Sequence, residues 1–259
     1  MGVLDLFRLD GRRALVTGGS RGLGREMALA FAEAGANVII TGRTQGTLET
    51  TLAELRAHEV QGNMVCVDMG NPEACEAACK QIVDDMGPID ILVNNVGNRE
   101  ENVPIVDESL ETWQRLIDLN LTSCFLATKI VGGAMLGRGA GRIINVASIS
   151  AMIANRGIAG RHYETAKAAV LHFTRCTAVD WAPHGVAVNA ICPGLFMTDA
   201  NRHWNEVRPD VIETFVRNVP MGRAGQPPEI GPLAVYLASN ASSYVTGASF
   251  VIDGGYTLW

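Results

Sequence analysis

One stretch decides the fold of this chain: Thr17-Gly18-Gly19-Ser20-Arg21-Gly22-Leu23-Gly24, which joins a β-branched run to a helical pattern that continues to Ala34. Three glycines in the spacing Gly-x-x-x-Gly-x-Gly permit a tight turn there. Backbone N–H groups in such a turn can approach a pyrophosphate at the positive end of the helix. We therefore predict a phosphate-binding turn at this place, with an ordinary loop as the alternative.

Further β-branched or apolar runs follow, separated by helical patterns. One helix has a clear start, because Asn71 is a typical cap residue, Pro72 suits the first helical position and Gly87 follows the last turn. Repeated strand-helix-strand units predict an α/β fold with a doubly wound parallel sheet of about seven strands and helices on both faces. No linker or repeat divides residues 1–259, so we expect a single domain. The predicted strands cover residues 14–17, 38–41, 64–67, 91–93, 143–146, 186–191 and 249–252, all apolar enough to be covered on both faces.

The composition excludes several classes of protein. Lys plus Arg number 21 and Asp plus Glu 27, a formal net charge of -6, which argues against a nucleic-acid binder driven by bulk charge. The first ten residues show no secretory signal, and no long uncharged apolar run indicates a membrane span. The six cysteines form no Cys-x-x-Cys pair or Cys/His cluster, so no metal site is expected. We expect a cytoplasmic protein without a nucleic-acid or membrane partner.

The end of the second predicted strand bears on the kind of dinucleotide that the chain binds. It reads Thr41-Gly42-Arg43, so glycine stands where an acidic residue would bind the ribose hydroxyl of NAD. Arg43 and Arg21 can instead bind a 2′-phosphate through charge-assisted hydrogen bonds. NADP(H) is therefore predicted over NAD(H), unless the two arginines are ordinary surface charges. Asp68, which ends the third strand, is expected near the adenine, or else caps the following helix.

Tyr163 and Lys167 lie four residues apart in a helical run that extends to Trp181. On a helix they share one face, where the ammonium can lower the pKa of the phenol and reach ribose hydroxyls. A tyrosine so placed can act as acid and base near neutral pH. The pair alone is a common coincidence, and it gains weight only from the motifs around it.

Those motifs resemble, in order and approximate spacing over residues 12–255, the pattern of the short-chain dehydrogenase/reductase family. They are Thr-Gly-x-x-x-Gly-x-Gly at 17–24, Asn94-Asn95-Val96-Gly97, Asn120, Ser148, Tyr163-x-x-x-Lys167, and Pro193-Gly194 with Thr198. The resemblance implies a Rossmann fold and an oxidoreductase that interconverts a ketone and a secondary alcohol by hydride transfer.

The resemblance also implies a role for each motif residue. Tyr163 would be the general acid/base, and Ser148 would donate a hydrogen bond to the substrate oxygen. Lys167 would anchor the ribose and tune the tyrosine, while Asn120 would hold a water molecule in a proton relay. Thr198 would contact the nicotinamide amide. The residues predicted to bind the cofactor are Gly18, Ser20, Arg21, Gly22, Leu23, Gly24, Arg43, Asp68, Met69, Asn95, Gly97, Tyr163, Lys167, Pro193, Gly194 and Thr198.

The chain departs from the family pattern in two places. Val96 stands where the family usually has alanine, which is a small packing change. Fifteen residues separate Ser148 from Tyr163, about two more than expected, so Ser150 is the alternative catalytic serine. We prefer Ser148 because it directly follows its strand, and we assign the extra length to the loop at 155–161.

Three segments are expected to border the substrate: 98–103, 151–162 and 195–219, the last of them predicted as an irregular, mobile flap. Their large apolar side chains are few, namely Met152, Phe196 and Trp204. This favours a small, polar, anionic substrate whose carboxylate a guanidinium binds, although several of the charges can equally face solvent. The chain resembles the gluconate 5-dehydrogenase branch of the family, and the 3-oxoacyl-carrier-protein reductases almost as well. The cationic candidates are Arg99, Arg156, Arg161, His162, Arg202 and His203.

Other functions receive less support from the sequence. A non-catalytic NADP(H)-sensing module would be expected to lose the tyrosine, lysine or serine, and all three are present. A dehydratase or epimerase of the extended relatives is disfavoured, because those have a different glycine spacing and usually a longer substrate domain. Members of the family are usually tetramers, so we expect a homotetramer packed through the predicted helices 110–135 and 163–181, whose apolar residues can equally pack inside one subunit.

Overall fold

A seven-stranded parallel sheet forms the centre of the structure, a computed structural model that describes residues 2–100, 102–155 and 157–258. The strands lie in the order β3-β2-β1-β4-β5-β6-β7, and each is parallel to its neighbours. The order reverses between β1 and β4, which is where open α/β sheets bind their ligands. This is the predicted doubly wound Rossmann sheet. The strands are β1 Arg13–Val16, β2 Asn37–Gly42, β3 Gly62–Cys66, β4 Ile91–Asn94, β5 Gly141–Val146, β6 Val186–Pro193 and β7 Ser249–Ile252.

Helices connect the strands and cover both faces of the sheet. The start predicted for the third helix is confirmed, because Oδ1 of Asn71 accepts a hydrogen bond from the backbone N–H of Ala74 at 2.8 Å and Pro72 is the first helical residue. Strand bounds differ from the predicted ones by at most two residues, as at β3. The longer helices are α1 Gly22–Glu33, α2 Gln45–Arg56, α3 Pro72–Asp85, α4 Leu110–Arg138, α5 Arg161–Trp181, α6 Asp199–Val207, α7 Pro209–Arg217 and α8 Gly231–Ala238.

Alternate residues of the central strands fill two cores, one on each face of the sheet. Ala14 and Val16 of β1 point to the side of α1, α2 and α8, where Met27 and Phe31 are fully buried. Leu15, between them, points to the side of α3 and α4. Strands buried on both faces require this alternation. The edge strands β3 and β7 are only partly covered, contrary to the expectation for all seven, because the helices pack over the centre of the sheet.

The segment 195–219 is not the irregular stretch that the sequence analysis predicts. It contains α6 and α7, and no residue of either helix is buried. The Thr198 hydroxyl accepts a hydrogen bond from the backbone N–H of Asn201 and caps α6, and Pro209 occupies the first turn of α7. Their apolar residues do recur at helical spacing, as Val211, Ile212 and Phe215 of α7 show, so this pattern and the two cap residues are the signals that could have revealed them.

α4 is long and apolar enough to cross a membrane by length and composition, but 50% of its most apolar window is buried inside the protein. Leu126, Val131 and Met135 of this helix pack in the core below the sheet. A core helix passes the same test as a membrane span, and its burial accounts for its apolar character. Two π-helical stretches interrupt α4, Asp118–Thr122 and Thr128–Gly132, and the first contains Asn120.

Candidate active site

The glycine turn between β1 and α1 has a backbone that residues with side chains rarely adopt. Gly18 and Gly22 have φ angles of 64° and 56°, in the left-handed region that glycine favours. A Cβ atom on Gly24 would lie 2.3 Å from the carbonyl oxygen of Gly18. Nδ2 of Asn95 donates to the carbonyl oxygens of Thr17 and Gly18, both at 3.1 Å, and so ties the turn to the end of β4.

The N-terminus of α1 presents free hydrogen-bond donors. Among the described residues, no side chain caps this helix, and the backbone N–H groups of Ser20, Gly22 and Leu23 have no acceptor. A helix of 12 residues adds the positive end of its dipole at the same place. The turn therefore fits a pyrophosphate, which would accept hydrogen bonds from these groups.

The end of β2 lies beside this turn, and the Ser20 side chain is close to Gly42. A Cβ atom on Gly42 would lie 2.7 Å from Oγ of Ser20. Nη1 of Arg43 lies 3.8 Å from Oδ2 of Asp68, and both side chains are about half exposed. Arg21 is exposed. The Met69 side chain is buried in the core, so only its backbone can contact a cofactor.

Tyr163 and Lys167 stand on the first two turns of α5, as the sequence predicts. Nζ of Lys167 donates to the carbonyl oxygen of Val146 at 2.9 Å, and burial lowers the pKa of Lys167 to about 8. Burial raises the pKa of Tyr163, while Ser148 and Arg99 lower it. The sequence predicts that Lys167 lowers the pKa of Tyr163, whereas in the structure the cation that lowers it is Arg99. The guanidinium carbon of Arg99 lies 4.8 Å from the centre of the tyrosine ring. Lys167 is farther, with Nζ at 5.8 Å, and its buried ammonium is itself disfavoured.

The two candidate serines occupy different surroundings at the end of β5. Oγ of Ser148 accepts a hydrogen bond from the backbone N–H of Ser150 at 3.1 Å, and Ser148 is the serine that lowers the pKa of Tyr163. Oγ of Ser150 accepts from Nδ2 of Asn155 at 2.9 Å and belongs to the neighbouring loop. The surroundings favour the preference for Ser148, whose role stays a prediction.

Asn120 lies in the first π-helical stretch of α4 and is 1% exposed. Its Oδ1 accepts from the backbone N–H of Asn98 at 3.0 Å, and its Nδ2 donates to the carbonyl oxygens of Asn98 and Leu116, each at 2.9 Å. A Cβ atom on Gly97 would lie 2.6 Å from Nζ of Lys167 and 2.7 Å from Oδ1 of Asn120. Gly97 thus allows both side chains to approach the end of β4. π-Helical stretches such as the one that contains Asn120 occur frequently at functional sites.

The segment after β6 closes the far side of the phosphate turn. Pro193 ends β6, and a Cβ atom on Gly194 would lie 2.7 Å from Cβ of Asp253. A Cβ atom on Gly22 would lie 3.6 Å from Cγ2 of Thr198. The structure thus brings Thr198 beside the glycine turn, where the resemblance predicts a cofactor contact.

The structure brings only some of the predicted substrate residues near Tyr163. Arg99 stacks on the ring, whereas Arg202 and His203 lie on the exposed face of α6 beside Asp199 and Glu206. Phe196 is buried, while Met152 and Trp204 are about half exposed. Arg156 lies outside the described residues.

Sequence reasoning missed two residues near Tyr163, Glu164 and Glu108. Glu164 is buried, pairs with Arg161 and accepts hydrogen bonds from the backbone and side chain of Asn155. Glu108 pairs with His162, and both side chains are almost fully buried. No spacing or motif marks Glu108, because it lies in a loop whose contacts are set by the fold.

Comparisons with known proteins agree with this geometry. A family model described as Enoyl-(Acyl carrier protein) reductase matches residues 18–257. Galactitol 2-dehydrogenase (L-tagatose-forming) of Cereibacter sphaeroides is 40% identical over 258 residues, which are 98% of this chain and 98% of that protein. A 3-oxoacyl-(acyl-carrier-protein) reductase of Synechocystis sp. is 37% identical over 253 residues, 97% of this chain and 99% of that protein.

A solved structure shows the same similarity. The gluconate 5-dehydrogenase from Burkholderia cenocepacia J2315, in complex with NADP and tartrate, is 35% identical with a TM-score of 0.91, and the match covers 100% of each chain. The fold, the motif positions and these matches over nearly the whole length lead to one conclusion. The chain belongs to the short-chain dehydrogenase/reductase family.

Proposed function

We propose that this chain is an NADP(H)-preferring oxidoreductase that interconverts a ketone and a secondary alcohol on a small polar hydroxy acid or polyol. One observation carries the reaction class: Ser148, Tyr163 and Lys167 meet at the carboxyl end of the sheet, beside a turn that fits a pyrophosphate. Acids, bases and donors gathered next to a dinucleotide site are what hydride transfer to or from a carbonyl carbon needs.

NADP(H) fits the residues present. The open N–H groups of the glycine turn would hold the pyrophosphate, and Arg43 and Arg21 would bind the 2′-phosphate. Glycine at position 42 lacks the acidic side chain that an NAD-specific site uses at this position. NADP is bound in the gluconate 5-dehydrogenase structure, which supports the same cofactor here.

The bound cofactor supplies or accepts the hydride. In the reductive direction Tyr163 donates its phenolic proton to the substrate oxygen, and in the oxidative direction its phenolate takes the hydroxyl proton. Ser148 donates a hydrogen bond to the same oxygen and stabilises the charge that develops on it. Lys167, held between Val146 and Gly97, is placed to reach the ribose. Asn120 fixes the turn at Asn98 and would hold the relay water.

Arg99 supports a carboxylate-bearing substrate. Its Nη1 donates to the carbonyl oxygens of Ala159 and Gly160, at 2.8 and 3.2 Å, so the guanidinium is fixed above Tyr163. A guanidinium has five N–H donors in a rigid fork, and those not used by the protein can bind a carboxylate. Tartrate, a small hydroxy acid, is the second ligand in the gluconate 5-dehydrogenase structure.

A 3-oxoacyl-carrier-protein reductase is the second candidate, because a relative with that name is nearly as similar as the galactitol dehydrogenase. The exposed Arg202 and His203 on α6 would then meet an acidic carrier or its phosphopantetheine. We also propose that the protein is cytoplasmic and a homotetramer, as the sequence analysis expects.

The reaction chemistry is tested by Tyr163→Phe. This variant keeps the ring under Arg99 but lacks the proton, so we expect NADPH binding within about twofold of wild type and turnover lowered by at least about 100-fold. Fluorescence titration of NADPH and initial rates are the measurements. Retained turnover would contradict the role of Tyr163, and loss of NADPH binding would show that the variant damages the site instead.

A further inference from the structure

A buried acid and imidazole lie directly behind the active site. The Glu108 side chain is 2% exposed and that of His162 is 0% exposed, and Oε1 of Glu108 contacts Nδ1 of His162. The residues before Glu108, including Ile105 and Val106, are largely exposed. Glu108 follows this exposed stretch, but its side chain points into the protein and contacts His162, the residue before Tyr163.

The contact made by the second ring nitrogen of His162 shows where the protons of the His162–Glu108 pair lie. Nε2 lies 3.0 Å from the carbonyl oxygen of Arg99. Because a carbonyl only accepts hydrogen bonds, Nε2 carries a proton. A further proton must lie between Nδ1 and Glu108, since two acceptors cannot form a favourable contact. The pair is therefore an imidazolium with a carboxylate, or a neutral imidazole with a carboxylic acid.

Arg99 connects this pair to Tyr163. Its carbonyl oxygen accepts from His162, while its guanidinium stacks on the Tyr163 ring at 4.8 Å. The next residue, Glu100, has a φ angle of 51°, a left-handed conformation that is unfavourable for a residue with a Cβ atom. The backbone that directly follows Arg99 is therefore held by its contacts rather than by local preference.

We propose that Glu108 and His162 are positioning residues, which fix the backbone of Arg99 and so hold its guanidinium over Tyr163. This inference rests on the proposed function, because the position of Arg99 affects the rate only if Tyr163 exchanges the substrate proton. Glu108 orients the imidazole and keeps the proton on Nε2, in the way that a buried carboxylate orients a catalytic histidine.

The other charged groups around the pair are already engaged. Arg161 and Glu164 of α5 pair with each other, and Nη2 of Arg99 lies 3.7 Å from Glu164. Glu100 pairs with Arg115 of α4. The remaining oxygen of Glu108, Oε2, is buried and has no hydrogen-bond partner within the described residues. A buried carboxylate with one free oxygen depends on His162 for its stabilisation.

Two substitutions of His162 separate positioning from stability. His162→Gln retains an amide N–H near the place of Nε2 that can donate to Arg99, whereas His162→Phe has no donor. Both leave Glu108 without the imidazole, so both should lower the melting temperature. We expect kcat/KM for alcohol oxidation to fall on the order of 10-fold in His162→Phe and substantially less in His162→Gln.

The pH profile gives a readout that a purely structural role would not change. Arg99 favours the phenolate of Tyr163, so its displacement in His162→Phe should move the acid limb of kcat/KM for oxidation to higher pH. Glu108→Met, which keeps the volume of the side chain, should move the limb in the same direction by a smaller amount. Asp107→Asn removes an exposed neighbouring charge and should leave rate and profile unchanged.

The proposal would be overturned if His162→Phe and His162→Gln had the same kcat/KM and the same acid limb in the pH profile of oxidation. If His162→Phe does not fold, an acid limb of Glu108→Met identical to that of wild type would overturn it instead. The Tyr163→Phe variant separates failure of the proposed function from failure of the positioning role. Turnover without the tyrosine hydroxyl contradicts the proposed function. An inactive Tyr163→Phe together with unaffected His162 variants contradicts only the positioning role.

Discussion

Lys167 is the residue whose surroundings depart most from those of a surface lysine. It is 3% exposed, and burial lowers its pKa to about 8. Its backbone acceptor, the carbonyl of Val146, carries no charge that would compensate the ammonium. The protein thus keeps a costly cation beside Tyr163, as expected of a group that serves binding or catalysis rather than stability.

The shifted pKa of Lys167 predicts how stability depends on pH. Below about pH 8 the native and unfolded states both hold the proton, and the buried charge lowers stability in full. Between pH 8 and about 10.5 the unfolded state binds more protons than the native state, so this group's contribution becomes more favourable as pH rises. Lys167→Met should therefore be more stable than wild type at pH 7, with a difference that shrinks by pH 10.

Thermal unfolding of both proteins across this pH range measures the effect. Lys129→Met, at an exposed position of α4, is the matched control, and its difference from wild type should stay constant. If the difference in stability between Lys167→Met and wild type did not change with pH, the lysine would not be buried as a destabilising cation.

At the scale of single residues, the sequence predicts the motif positions well and their electrostatics poorly. The glycine turn, Tyr163 and Lys167 are found because their chemistry requires fixed spacings along one turn or one helix. Glu108, Glu164 and the stacking of Arg99 on Tyr163 depend on contacts between segments far apart in sequence. No local pattern predicts such contacts, so the sequence points to Lys167 as the group that lowers the pKa of Tyr163, whereas in the structure burial raises that pKa and Ser148 and Arg99 lower it.

At the scale of elements, the end of β2 is the part of the fold that we propose selects NADP(H). Thr41 and Gly42 complete the strand, and the chain then places Arg43 within 3.8 Å of Asp68. Both side chains are half exposed, so their mutual attraction is weak and a 2′-phosphate can compete for the guanidinium. The strand thus ends with a cation where an NAD-specific strand ends with an acid.

Arg43→Ala should reduce the preference for NADPH. Loss of a charge-assisted hydrogen bond to the phosphate should raise the KM for NADPH about tenfold and leave that for NADH within about twofold. Initial rates with each cofactor give both values. Arg56→Ala, an exposed arginine at the end of α2, is the control that should change neither. Equal increases in both KM values would indicate damage to the whole site rather than loss of phosphate binding.

Element boundaries show which signals a sequence carries. The start of α3 is predicted because a cap, a proline and a terminal glycine act locally. α6 and α7 are missed although each has a helix-start residue and apolar residues at helical spacing, because both helices are short and neither buries a residue in the core. The sequence carries no signal for the π-helical stretch at Asn120, whose side chain contacts Asn98 in a segment distant along the chain.

At the scale of the whole molecule, α4 and α5 expose apolar side chains that the fold of one subunit does not cover. Phe125 on α4 is 45% exposed and Val179 on α5 is 75% exposed. Apolar side chains on adjacent long helices favour contact with another copy. This agrees with the homotetramer proposed from the family resemblance.

Val179→Glu should weaken this association, because it places a charge in the proposed interface. Light scattering after gel filtration should show a tetramer for wild type and smaller species for the variant. Tyr244→Glu introduces the same charge at a fully exposed position and should remain tetrameric. A monomeric wild type, or a Val179→Glu tetramer as stable as that of wild type, would contradict the assignment of this surface.

The proposed substrate class is tested by initial rates of NADPH oxidation with 5-ketogluconate and with an acetoacetyl thioester, measured side by side. The substrate that reacts is then assayed with NADH. We expect turnover of the keto acid, little turnover of the thioester and a lower rate with NADH, because Arg99 is fixed above Tyr163 and Arg43 follows β2. Turnover of the thioester alone would contradict the claim and assign the chain to acyl-group reduction.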